Sequence, residues 1–269
     1  MGVISPPNPR LALTLAVALY LIWVTATYLL EGHLLTSQRP EDTLGRLAYA
    51  LVANVLIGLG GSALAVRALS NSGIISPRLA GFRGIGHALL ATVIGALLGF
   101  AFYALQGAPT TYDPLIILNA YAQVLVTSVA EVLVCWAVVG SVSESLLQGT
   151  RRGRGVSVVL AAIVASLLFG VYHFAHSPPF NTVGVVVLLS VVGLVTSLFF
   201  FISRDVYGTI AFHNFLGIFG VMRALESWGT LASYERPVVP LLVMAVVAVV
   251  LLIAAHAYLI SATNIRAPS

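Results

Sequence analysis

Apolar residues in this chain run in blocks rather than in stripes. Residues 11–30, 46–69, 84–105, 114–142, 155–176, 182–203, 206–225 and 237–260 are dominated by Leu, Val, Ala, Ile and Phe, and polar positions collect between them. At ~1.5 Å of rise per residue, each block is long enough to cross a hydrocarbon layer of ~30 Å as a helix. The pattern predicts an all-α, polytopic transmembrane bundle of about eight helices. The longest gaps, 31–45 and 70–83, hold about 14 residues each. No soluble domain fits in them, so residues 1–269 read as a single membrane domain.

Composition supports lipid as the solvent. Hydrophobic residues make up 59% of the chain and charged residues 8%, against roughly 25% charged in a soluble domain. All 13 basic residues are arginine, and none lies in a basic stretch interleaved with aromatics, so nucleic acid is not an expected partner. With eight spans, nine arginines (10, 67, 78, 83, 151, 152, 154, 204, 266) fall on the side of the termini and four (39, 46, 223, 236) on the other. Arginine collects on the cytoplasmic side, which predicts cytoplasmic termini. The apolar run after Arg10 lacks a small-x-small cleavage site and reads as a retained first span. The single Cys135 excludes an intrachain disulfide.

Ionisable side chains at membrane depth are costly, and each marks a functional-site hypothesis. Glu131 is the carboxylate well inside a predicted span. Thr127, Ser128 and Cys135 share its helical face at three- and four-residue spacings. The fifth span ends Phe169-Gly-Val-Tyr-His-Phe-Ala-His176 and the seventh contains Thr209-Ile-Ala-Phe-His-Asn-Phe-Leu-Gly217. Gly217 and Gly220 leave room beside His213 for a neighbour or a substrate. One carboxylate, the imidazoles and Asn214 are the parts of an acid–base hydrolytic site if the three helices converge. The bland readings stand beside this one. Asn54, Asn119 and Gln123 read as helix–helix hydrogen-bonding residues, His87 and His256 as interfacial, and His173 with His176 at i,i+3 as a possible metal pair without a matching ligand cluster. The chain contains no His-Glu-x-x-His and no Gly-x-Ser-Gly, and its aspartates lie outside the spans, which disfavours zinc, rhomboid-type serine and aspartyl intramembrane proteases.

These stretches resemble the CAAX protease and bacteriocin-processing (CPBP) family, membrane glutamate endopeptidases that include the type II CAAX prenyl endopeptidase. Phe169-Gly-Val-Tyr-His173 is similar to the family's Phe-x-x-x-His. Tyr207-Gly-Thr-Ile-Ala-Phe-His213 is similar to the helix start that carries its last histidine. The first motif, Glu-Glu-x-x-x-Arg, survives as Glu131 with Val132 and Trp136 in the other two places; in the alternative register Ala130 and Cys135 depart from it. Gly217 stands where Asn or Asp is usual, and Asn214 follows His213 directly. The resemblance covers about residues 122–220. It implies catalytic roles for Glu131, His173, His213 and Asn214. Glu131 and His173 would activate a water, and His213 with Asn214 would steady the oxyanion. It also implies a hydrophobic or prenylated peptide as substrate, no bound cofactor, and a cavity open towards the cytoplasm. A degenerate member acting as a scaffold or immunity-type binding protein is the alternative, and a proton-coupled transporter a third class. In upright helices His213, Glu131 and His173 would lie ~11, ~16 and ~27 Å from the end that carries the termini, so their meeting requires tilt, a recessed turn or helix extensions.

Overall fold

The computed structural model describes residues 8–33, 42–149, 153–229 and 231–264. Among these, eight helices are long and apolar enough to cross a membrane: α1 (Pro9–His33), α2 (Thr43–Asn71), α3 (Ile85–Leu105), α4 (Pro114–Gln148), α5 (Arg154–Ala175), α6 (Val183–Ser203), α7 (Val206–Ser227) and α8 (Val239–Ser261). The protein is a multi-pass integral membrane protein with an all-α fold. Of the charges used to assign sides, Arg39, Arg151, Arg152 and Arg266 lie outside the described residues, as does Glu41.

Helix starts follow from local chemistry. Asn8, Asp113 and Asp205 cap α1, α4 and α7 by accepting from backbone N–H groups of the first turn, and Pro9 and Pro114 occupy first-turn positions whose N–H would be unpaired in any case. Large apolar side chains such as Leu13, Ile22, Leu97, Leu188, Ile202, Val246 and Ile253 are exposed around the bundle. An apolar belt of this extent is stable only against lipid.

α4 is the axis of the molecule. Some 83% of its most apolar stretch is buried, against 28% for α1, α3 and α6 and 22% for α8. Its middle, Val132–Gly140, is a wide π-helical segment that begins just after Glu131, and every residue of it is buried. Small residues bring neighbouring helices close. A Cβ on Gly95 of α3 would meet the carbonyl oxygen of Gly208 on α7, and one on Gly170 of α5 would meet Ser190 Oγ on α6. Close backbone approach of this kind replaces the hydrophobic drive that lipid removes.

The end of the bundle where α1 begins and α8 finishes is closed by buried polar contacts. Arg204 pairs with Glu144 at 2.6 Å. Ser141 and Ser145 donate to the carbonyls of Leu79 and Ile74 in the α2–α3 connection. Val206 N–H donates to Gly81 O at 3.0 Å. The two-residue α6–α7 turn is recessed, with Arg204 7% and Asp205 0% exposed and Arg204 in the left-handed region at φ 51°.

This end resolves the depth mismatch. α4 reaches Gln148 rather than the expected residue 142, so Glu131 lies ~26 Å from that helix end and His173 lies ~28 Å from the start of α5. The sunken turn carries the start of α7, and His213 with it, inward to the same level.

Candidate active site

Glu131, at the last α-helical residue before the π segment of α4, faces histidines from two other helices. Its Oε2 is 3.0 Å from His213 Nε2 on α7, and its Oε1 is 3.7 Å from His173 Nε2 at the end of α5. All three are nearly enclosed, at 6%, 1% and 7% exposure.

The orientation of each ring is fixed from behind. His173 Nδ1 is 2.8 Å from the Phe169 carbonyl one turn earlier. That carbonyl is an acceptor only, so Nδ1 carries the proton and Nε2 presents a lone pair to Glu131. His213 Nδ1 is 3.0 Å from Thr196 Oγ1 on α6, whose own hydroxyl donates to Val192 O. Nδ1 of His213 is therefore the donor there, and the 3.0 Å contact between Nε2 and Glu131 requires one proton held between the two. Phe169 stands edge-on to both imidazoles, at 4.8 and 5.0 Å between centroids, and Trp136 packs 5.3 Å from His213 while donating to Ser197 Oγ. The phenylalanine four residues before His173 is thus the wedge that spaces the two rings.

The three residues line a cavity of about 140 Å³, together with Thr127, Gly217, Gly220, Arg46, Tyr234 and Leu241. The two glycines supply the room expected of them. Arg46 begins α2, Leu241 begins α8 and Tyr234 lies between α7 and α8, so the cavity extends towards the end opposite the one that carries the first and last helix ends. With cytoplasmic termini the cavity reaches towards the opposite face of the membrane, against the expectation of one open towards the cytoplasm. The reason is that His173 terminates α5, which places the site towards that far end.

Asn214 is not in the cluster. It accepts from Ser128 Oγ and donates to the Tyr121 carbonyl, because one residue along a helix is a rotation of ~100°. It ties α7 to α4 instead. Asn54 accepts from Trp23 and donates to Thr127, and Asn119 donates to the Tyr234 carbonyl, which is the interhelical bonding expected of them.

Besides Asp205 in the recessed turn, two buried carboxylates were not anticipated. Glu144 extends α4 and pairs with Arg204. Glu31, 1% exposed in the last turn of α1, accepts from Ser177 N–H at 2.7 Å and Ser177 Oγ at 2.5 Å and lies 3.3 Å from His176 Nδ1. Their signal in the sequence was their position, four residues after Thr27 and three after Ser141, in register with a helix face that continues past the apolar block. His176 stacks on His173 with centroids 5.0 Å apart, but its Nδ1 is taken by Glu31. Among the described residues no group of three or more His, Cys, Asp or Glu is arranged to hold a metal ion.

No protein-family model, curated protein or solved structure matches this chain.

Proposed function

We propose that the protein is an intramembrane endopeptidase of the CPBP type that hydrolyses a peptide bond in a hydrophobic or prenylated substrate. The observation that carries this reading is a buried carboxylate flanked by two imidazoles, each with its Nδ1 already occupied, on the wall of a cavity within the bundle. Glu131 Oε1 and His173 Nε2, 3.7 Å apart, are both acceptors towards a shared water. Glu131 takes one proton as the water oxygen attacks the scissile carbonyl carbon. His213 brings positive charge or a donated proton to the oxyanion, and the proton on Glu131 passes to the departing amine nitrogen. A positioned general base contributes roughly 10²–10⁴ in rate. Glu131→Gln should therefore abolish cleavage of a membrane-embedded peptide reporter while the purified protein keeps its thermal transition, and unchanged turnover rejects the mechanism.

For orientation we adopt the arginine distribution, which places the termini in the cytoplasm. The cavity then opens on the opposite face of the membrane, and its substrate enters from there or from the bilayer.

A second reading is a binding module that keeps the architecture without cutting. It is favoured by Val132 and Trp136, fully buried apolar packing residues where the family carries its second glutamate and its arginine. Purified wild-type protein that retains an apolar peptide and yields no product on prolonged incubation would decide for it.

A further inference from the structure

Beside the Glu131 cluster lies a second acid–imidazole pair that the proposed reaction does not use. Glu31 accepts both the N–H and the hydroxyl of Ser177, and its Oε2 lies 3.3 Å from His176 Nδ1. A carboxylate already accepting twice is an acceptor for the third contact as well. Nδ1 of His176 is then a protonated nitrogen, and in the neutral ring Nε2 carries the lone pair.

His176 borders the cavity, whereas Glu31 does not. The residue is 6% exposed, and its Nε2 has no hydrogen-bond partner among the described residues. Buried polar atoms are paired in the great majority of cases, so an orphan demands a partner from elsewhere. The ring lies almost parallel to His173, at 18° and 5.0 Å between centroids.

We propose that His176 is a substrate-binding residue, whose Nε2 accepts a hydrogen bond from a backbone N–H of a bound extended peptide, and that Glu31 is the positioning residue that fixes its tautomer. An extended chain advances about 3.3 Å per residue, so the N–H concerned lies one or two residues from the bond that faces Glu131. That register rests on the hydrolytic reading of the Glu131 cluster; the hydrogen bond itself does not.

The test is a binding measurement on the full-length protein in detergent. A Glu131→Gln background prevents consumption of the probe, a fluorescent apolar heptapeptide, and of its depsipeptide variants in which one backbone N–H at a time is replaced by an ester oxygen. One ester position should weaken binding about tenfold, the scale of a lost buried hydrogen bond. In His176→Asn the amide nitrogen retains the donor to Glu31 but nothing remains at the Nε2 position. There the parent peptide should bind about tenfold more weakly, and the sensitive ester should cost nothing further.

Equal affinity with and without His176→Asn, an ester penalty that persists in that variant, or no binding of any peptide overturns the proposal. On protein with His176 intact, the absence of a penalty at every ester position overturns the proposal whether or not the variant folds. Reporter cleavage by the wild-type protein is scored separately. Cleavage without the ester signature leaves the hydrolase standing and removes His176, whereas the signature without cleavage does the reverse.

Discussion

His213 meets Glu131 through Nε2 because Thr196 occupies its other nitrogen, and the proposed hydrolysis depends on such supports as much as on the groups proposed to react. Thr196→Val is nearly isosteric but strands a buried Nδ1–H, a loss of about 1–3 kcal/mol that also frees the ring to turn. Turnover of the reporter should fall about tenfold or more while expression persists. Asn214→Ala should behave differently, because its bonds run to Ser128 and Tyr121. Its cleavage rate should stay within about threefold of wild type, with a lowered Tm as the measurable loss. At this scale much of the site was legible: Glu131, His173 and His213 stood out because ionisable groups are rare at membrane depth, and all three converge. Asn214 was misplaced because a match in residue type does not carry the face of the helix with it. Thr196 was invisible, since a threonine in an apolar helix gains meaning only from what packs opposite.

At the scale of elements, the level of His213 is set by the crossing of α3 and α7 and by the buried turn before α7. Gly208 touches the backbone of Ala91, so a Cβ there would force the helices apart, a cost of about 1–3 kcal/mol for overpacking. Gly208→Ala should lower both Tm and turnover, whereas Gly220→Ala, which meets open space, should leave Tm unchanged. In the turn, burial raises the Asp205 carboxyl above the usual carboxylate range, against the opposing pull of the Gly208 N–H and of His87 and His256. A raised carboxyl contributes stability that is fully present below its ordinary value of ~3.9 and is lost as pH rises through the raised one. Asp205→Asn keeps an acceptor for Gly208 without the charge. Its Tm should exceed that of wild type at pH 7, and the difference should shrink towards pH 4. Neither the extension of α4 to Gln148 nor the recessed turn was readable, because Ser141-Val-Ser-Glu144 looks like a helix leaving the membrane until Arg204, sixty residues later, neutralises Glu144.

For the whole molecule, the spans other than α4 lay close to their expected limits, since the thickness of the hydrocarbon layer sets the length of a crossing helix. What the linear order concealed was which end of the bundle the cavity reaches. Glu31 had been placed in a connecting loop, and its contact with His176 and Ser177 joins the end of α1 to the end of α5 across 146 residues of chain. The proposed orientation is tested by single cysteines on the exposed connections, read with a membrane-impermeant maleimide; the native Cys135 is 0% exposed and stays silent. Tyr112→Cys, between α3 and α4, should label in intact cells, and Ser76→Cys, between α2 and α3, only after permeabilisation. The reverse pattern overturns the assignment. Since Pro9 and Ser261 both lie at the closed end, an affinity handle or fluorescent protein spliced beyond either of them hangs from the floor of the molecule. A preparation tethered to a chip by such a handle therefore displays its open face to the bathing solution, ready for ligands to be added from above.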